Sequence, residues 1–444
     1  MVVKSNNAKW IAFLVIILSF FSLFQHLFFA RFSSLTLLNY AKSGVNFHSI
    51  PRKTKKKKIH NGKLGEGVIK KHLQSSQPNL HNQSLSLSID NGNYVNNTNN
   101  VFHDENIFQE DYKQMKKSFK IYVYPHKKND PFANILLPVN FEPSGNYASE
   151  SYFKKSLFNS QFITKNPKEA DLFFLPFSIA RLRHDTRIGV EGIQNFIRDY
   201  ITNVSQKYPY WNRSDGGDHF YVACHSIGKS AMEKTSEVKF NVIQVVCSSS
   251  YFVAAYIAHK DACLPQIWPR KDNPPNLFSP KRKKLAFFAG GINSPVREKL
   301  LQVWRNDTEI FVHYGRLKTP YADELLGSKF CLHVKGFEVN TARIADSLYY
   351  GCVPVVIANY YDLPFNDILD WKTFSVIVPT MDIPLLKDIL KNISYDEYLR
   401  LQSNVLKVRK HFQWHLKPID YDAFHMVMYE LWLRRSFLRF PENY

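Results

Sequence analysis

The sequence predicts an α/β protein built from two Rossmann-like, doubly wound domains that face each other across a cleft. Three observations lead there. Apolar runs of strand length alternate with helical patterns, which signals parallel sheets covered by helices on both faces. A proline-rich basic passage, Pro265 to Lys284, interrupts that alternation like a linker, and the alternation restarts beyond it. The chain's 444 residues also exceed the roughly 250–300 at which a single core stops growing.

Order is expected from Phe119, where Lys120 to Tyr124 makes a short strand. Ala170 to Leu175 reads as a buried strand closed by Pro176, and Val190 to Val204 has helical spacing. Further strands are expected at His219–Val222 and Asn241–Val246. In the second half, strands are expected at Leu285–Ala289, Glu309–His313, Lys329–Val334, Val353–Ala358 and Phe374–Val378. Helices are expected at Pro295–Trp304 and Thr341–Tyr350. Three more close the chain, around Ile383–Leu390, Tyr395–Phe412 and Tyr421–Leu433.

Ahead of this body, Trp10 to Ala30 is almost unbroken apolar, about the 20 residues of a spanning helix. Phe29-Ala30-Arg31 is a poor cleavage site, which favours a retained signal anchor over a cleaved signal peptide. Charge flanks the segment on both sides, so it does not set the orientation. Six Asn-x-Ser/Thr acceptors (Asn82, Asn96, Asn203, Asn212, Asn306 and Asn392) all lie on the C-terminal side and lean towards a lumenal body. The expected organisation is a cytosolic tail (1–9), a transmembrane anchor (10–30) and a flexible lumenal stem (31–115). An N-terminal Rossmann-like domain (116–275) and a C-terminal Rossmann-like domain (276–444) follow.

Apolar residues make up 45% of the chain and aromatic residues 15%, which excludes global disorder. The net charge of +20 raises nucleic acid as a partner, but part of the excess sits in runs such as Arg52 to Lys58, outside any periodic segment. An acidic polysaccharide, a membrane surface or nucleotide phosphates fit the same charge. The five cysteines show no CxxC spacing; one or two bridges are compatible with an oxidising lumen, and their connectivity stays open.

Two segments carry candidate chemistry. In residues 285–299 a strand runs into Gly290-Gly291, and a helix starts with Ser294 as cap and Pro295 in its first turn. Glycines allow close backbone approach by a ligand, and the helix start favours phosphate, with Arg297 in reach of the same anion. A plain turn explains the glycine pair equally well, and it is not the GxGxxG of nicotinamide binding. In Ser328–Ala358 a loop carries Lys335, Gly336 and Glu338. Thr341 is placed to cap a helix bearing Arg343 and Asp346 three residues apart. Arg343 suits a diphosphate, and Asp346 suits the hydroxyls of a ribose. The plainer alternative is an Arg–Asp pair on a packing helix.

With these residues in view, the sequence resembles the plant exostosin-like glycosyltransferases of glycosyltransferase family 47, over about residues 118 to 435. The resemblance rests on EADLFFLPF (169–177), YPYWNRSDGGDHF (208–220), LAFFAGG (285–291), SKFCL (328–332), GCVPVVIA (351–358), LPFNDILDW (363–371) and DAFHM (422–426), in that order. It implies a GT-B fold, inversion at the sugar carbon, a UDP-sugar donor and a type II Golgi membrane topology. The donor belongs with the second half, on Gly290, Gly291, Arg297, Gly336, Thr341, Arg343 and Asp346.

The sequence departs from the family in three places. The family's Ser-Pro-Arg-x-x-Glu is Thr341-Ala342-Arg343-Ile344-Ala345-Asp346 here, which shortens the acidic side chain by one methylene. The usual His-Asp-Trp-Gly is His225-Ser226-Ile227-Gly228, and Pro-Ser-Gly-Trp-Glu is Val334-Lys335-Gly336-Phe337-Glu338.

An inverting transfer needs a group to take the acceptor's proton. The candidates are Asp218, His219 and His225 in the N-terminal acceptor domain, expected at the end of a strand facing the crevice, with a turn-ordering Asp-His pair as the alternative. Asp420-Tyr421-Asp422 has the form of a metal-binding DxD, yet it begins an amphipathic helix and reads as structural, so no metal or other cofactor is expected. The leading expectation is a transferase acting on cell-wall or related glycans, with a nucleotide-sugar donor, a glycan acceptor and a Golgi membrane anchor. The alternative is a weakened member that serves as partner in a complex with other glycosyltransferases. Nucleic acid is not expected as a partner.

Overall fold

The computed structural model describes residues 100–435, apart from 229, 253–255, 271–274, 276 and 278–281. The expected anchor, most of the stem, and Asn82 and Asn96 lie outside the described residues. No helix among the described residues is long and apolar enough to cross a membrane.

The strands form two sheets. The first contains β1 (Ile121–Val123), β2 (Ile163–Thr164), β3 (Leu172–Phe174), β4 (His219–Ala223), β5 (Ile243–Val246) and β6 (Ala262–Cys263), in the order β2-β1-β3-β4-β5-β6. The second contains β7 (Lys284–Gly290), β8 (Ile310–Tyr314), β9 (Ser328–Val334), β10 (Val353–Ile357) and β11 (Val376–Ile377), in the order β11-β10-β9-β7-β8. Every strand pairing within the two sheets is parallel. That is what near-continuous apolar runs such as Leu172-Phe173-Phe174 require, because strands buried on both faces cannot alternate with polar residues.

The two sheets share one winding. Numbered from its own first strand, each runs 2-1-3-4-5, and the first adds a sixth strand at its edge. In this arrangement the chain reverses direction between the first and third strands, and ligands sit beyond the carboxyl ends of the strands at that point. The switch points are β1/β3 and β7/β9.

The Pro295–Trp304 helix is where the sequence places it, with Ser294 accepting from the Arg297 N–H at 3.3 Å. The Gly189–Lys207 helix extends the expected span at both ends. Two findings depart from the expected organisation. Residues 105–118, most of which fall at the end of the expected stem, form a helix capped by Asp104 that buries Phe108, Tyr112 and Met115. Its partner is the last helix, Ala423–Arg434. Numbered with the second half, that helix packs against the Ala148–Phe158 helix and β6 of the first. Apolar faces on both helices drive the pairing, with Phe108 edge-on to Tyr429 at 5.0 Å and Tyr112 stacked on Tyr421 at 4.4 Å.

One hydrophobic core runs from the first sheet (Phe174, Phe220, Val245) into the second (Phe288, Leu332, Val355). The halves are also stitched at the surface: Tyr251 donates its hydroxyl to Asp362 at 2.6 Å and its N–H to Tyr360 at 2.9 Å. Two disulfides form, Cys224–Cys247 beyond the ends of β4 and β5 and Cys331–Cys352 between β9 and the start of β10, while Cys263 is a buried thiol.

Candidate functional site

A cleft of about 600 Å³ opens at the carboxyl ends of β7 and β9, lined by Asn293, Arg297, Tyr321, residues 336–338 and 340–343, and Asp346. The first half contributes Asn146, Tyr147, Cys224 and Ser226, and the connecting passage adds Gln266, Trp268 and Arg270.

Two arginines define its charge. Arg343 donates from Nη2 to the Ala289 carbonyl at 2.8 Å, and Arg297 donates from Nε and Nη2 to the Val334 carbonyl at 3.1 Å and from Nη1 to Gly291 at 3.2 Å. Both guanidiniums lie over the Phe288 ring, at 5.1 and 5.6 Å. Neither forms an ion pair among the described residues, and Arg343 Nε is buried without a hydrogen-bond partner. Burial first, and the Arg343 charge second, hold the Arg297 pKa down to about 10, so Arg297 remains a cation at neutral pH. Two adjacent cations held on backbone carbonyls, with no carboxylate between them, make an arrangement suited to an anion.

Two of the glycines make room for this arrangement. A Cβ on Gly290 would stand 2.4 Å from Arg343 Nη2, and one on Gly336 would stand 2.8 Å from Arg297 Nη2. Each glycine vacates the volume that a guanidinium fills. Nothing lies within 4 Å of the corresponding position on Gly291.

The loop after β9 is held from below by His333. Its Nε2 lies 2.9 Å from the Val339 carbonyl and its Nδ1 3.1 Å from the Thr341 hydroxyl. Burial pushes this histidine down to about 3 and keeps it neutral. Nε2 therefore donates to the carbonyl, and Nδ1 accepts from Thr341. The Thr341 oxygen in turn accepts from the Arg343 N–H at 3.2 Å, one residue earlier than a regular cap, since the helix runs Arg343–Tyr349 with Ala342 at its N-cap.

Asp346 lines the cleft, with one oxygen of its carboxylate already engaged. Its Oδ1 accepts from Arg270 Nη2 at 2.5 Å, and Arg270 also donates to the Tyr350 hydroxyl at 2.9 Å while lying over the Tyr349 and Tyr350 rings. Burial raises the Asp346 pKa while the Arg270 charge opposes that rise. One oxygen of the carboxylate is thus already engaged by a residue in the passage that reads as a linker. Arg270 had no distinguishing mark in the sequence beyond its place after Trp268-Pro269.

Asp218 and His219 lie at the start of β4, whereas the cleft receives Cys224 and Ser226 from beyond the other end of that strand. The expectation that they face the crevice is corrected by strand polarity. Asp218 accepts from Arg213 Nε at 2.7 Å and from the Ser214 hydroxyl at 2.7 Å, and lies 2.8 Å from His219 Nδ1. His219 is fully buried, with Nε2 2.8 Å from the Tyr124 hydroxyl and its ring stacked on Phe173. This is a structural knot. His225 sits at the correct end of the strand, 4.4 Å from the Tyr147 ring and 2.8 Å from Arg183 Nη1. Burial and the Arg183 charge lower its pKa to about 4. Glu338, in the loop after β9, reaches across to accept from the Ser248 hydroxyl of the first half.

The Asp420-Tyr421-Asp422 stretch is engaged elsewhere. Asp422 caps the final helix by accepting from the His425 N–H at 3.1 Å, and Asp420 pairs with Lys116 at 2.6 Å. Among the expected glycosylation acceptors within the described residues, Asn203, Asn212, Asn306 and Asn392 are all exposed.

Two wound parallel sheets with a cationic cleft at their switch point form the kind of α/β protein that holds phosphorylated ligands. Residues 115–393 match the Exostosin GT47 domain, and the chain belongs to that family of glycosyltransferases. It is 37% identical to a probable glycosyltransferase of Arabidopsis thaliana, across 83% of this chain and 72% of the relative. A second probable glycosyltransferase of the same plant is 32% identical across 93% of this chain and 92% of its own. A probable glucuronosyltransferase of Physcomitrium patens is 27% identical across 64% of this chain and 68% of its own.

Proposed function

We propose that the protein is an inverting, metal-independent GT-B glycosyltransferase that moves a sugar from a UDP-sugar to a cell-wall polysaccharide or related glycan. The proposed setting is the Golgi lumen, behind a single membrane anchor at residues 10–30. One observation carries the reading: Arg297 and Arg343 lie over one phenylalanine at the carboxyl ends of β7 and β9, held by backbone carbonyls and without carboxylate partners. In this reading they take the donor's diphosphate, and their charge stabilises it as the bond to the anomeric carbon breaks. The acceptor oxygen forms the new bond on the opposite face, and its proton passes to a cleft base. Glu338, which lines the cleft and touches Ser248, is the carboxylate we assign to that step. Two disulfides and four exposed sequons are consistent with the lumenal setting.

A second reading is favoured by the Arg270–Asp346 pair, which occupies one oxygen of the carboxylate assigned to the ribose. A weakened member of the family would then act as partner to an active transferase. Calorimetric titration of UDP into the full chain separates the two. Binding that Arg343→Ala lowers at least about tenfold supports the donor site. Absence of binding by the unaltered protein would sink the donor-site reading and favour the second.

A further inference from the structure

A second cavity, of about 670 Å³, joins the cleft at Asn146 and Tyr147. Its walls come from the segment after β1 (Asn134 to Ser151) and the segment after β3 (Ala180 to Arg187). It therefore occupies, in the first sheet, the switch-point position that the cationic cleft occupies in the second.

The charged residues that line it are Arg181, His184, Asp185 and Arg187. Asp185 is already neutralised: Arg187 Nη2 pairs with it at 2.6 Å, and the Asn134 side chain donates to it at 3.1 Å. Arg187 is in turn engaged by Asp185, by the Asn134 side-chain oxygen at 3.0 Å and by the Pro131 carbonyl, and its guanidinium lies 4.4 Å from the Phe132 ring centroid. Arg181 is different. It forms no ion pair among the described residues, its Nε is buried without a hydrogen-bond partner, and its guanidinium lies over the Phe141 ring at 5.5 Å. Phe141 itself is 57% exposed. An exposed ring beside an unspent guanidinium offers a stacking face for a pyranose and a fork for a planar anion.

We propose that this cavity is the acceptor subsite and that Arg181 selects a glycan bearing carboxylates, a chain containing uronic acid, with the sugar ring resting on Phe141. The proposal rests on the transferase reading above and names the substrate class of its acceptor side.

The test uses the full chain and two probes, a tetra-uronide and its methyl ester, which differ only in charge at the carboxyl groups. Calorimetric titration should show the acid binding at least about tenfold tighter than the ester in the unaltered protein, with the difference shrinking as salt rises. Arg181→Gln should erase the difference, and Arg181→Lys should restore part of it. Equal affinity for acid and ester, binding of neither probe, or a preference that survives Arg181→Gln each overturns the proposal. UDP titration of the same samples reports whether the variants are folded and separates the two failures. Uronide discrimination without UDP binding would leave the uronide-selecting subsite standing while the donor reading falls.

Discussion

Arg270 and Asp346, 76 positions apart, share a charge-assisted hydrogen bond that ties the passage between the sheets to the helix behind the cationic cleft. Asp346 stands where the family pattern has glutamate. Its shorter side chain is met by an arginine that is itself braced on Tyr349 and Tyr350.

Arg270→Ala leaves the Asp346 carboxyl buried without its cation, and thermal melts at neutral pH should show a loss of about 1–3 kcal/mol. The pH dependence has a fixed sign. Burial raises the folded pKa of Asp346, so its protonated form favours the fold, and stability falls as pH rises through that raised value. The variant's defect should therefore shrink towards acid pH. Combining it with Asp346→Asn should recover most of the loss at neutral pH. A defect of constant size across pH would mean that the pair is not its cause.

Gly290→Ala puts a methyl group where Arg343 Nη2 now lies, and Gly336→Ala does the same to Arg297. Both clashes fall on the far ends of flexible side chains, so the fold should tolerate them. The expected result is UDP affinity lowered about tenfold with the melting temperature within a few degrees of the unaltered protein. Unchanged affinity would show that the arginines need not sit where they do.

Asp218→Asn breaks the ion pair with Arg213 and the contact with His219, far from the cleft. We expect stability to fall by about 1–3 kcal/mol while kcat and KM stay within about twofold. Its partners hold this carboxyl below the usual range, so its contribution is present above the unfolded pKa near 3.9 and is lost as pH falls below it. Loss of turnover in a folded variant would return Asp218 to the list of reacting groups.

Glu430 is buried in the last helix, and burial pushes its pKa to about 8, with Asp367 and Asp362 adding to the rise and Arg434 opposing it. Arg434 spends its hydrogen bonds on Asp367 and on the carbonyls of Asp261 and Glu430. The protonated acid thus favours the fold, and stability should decline as pH rises from about 4 to 8. Glu430→Gln should flatten that decline and be more stable by about 1–3 kcal/mol near pH 8. Identical pH slopes in the two proteins would refute the assignment.

Most of the fold was legible because parallel strands buried on both faces leave unbroken apolar runs, as at Val353–Ile357, and because helix starts carry their own chemistry, as at Ser294-Pro295. Edge strands of two residues, Ile163–Thr164 and Ala262–Cys263, are too short to show a period. The arginine pair was found from its place after glycine-bearing strand ends. That Gly290 and Gly336 make room for its guanidiniums was not, since a cradle for a guanidinium and a cradle for a phosphate look alike in sequence. Asp218 and His219 misled although the expected strand, His219–Val222, already puts them at its start, because the crevice of a parallel sheet lies beyond the opposite, carboxyl ends. Arg270 and Arg181 were invisible for the same kind of reason: an unsatisfied guanidinium is a fact of packing, and no local pattern announces it.

The core that runs through both sheets has a thermodynamic consequence. Halves that share buried side chains such as Phe220 and Phe288, and are stitched by Tyr251 and Asp362, cannot melt independently. Heating should give one cooperative transition, and a ligand that fills the arginine cleft should raise it for the whole body. Saturating one sheet's pocket would then slow hydrogen exchange in the other, so the two binding events communicate through shared stability without any movement of one half against the other.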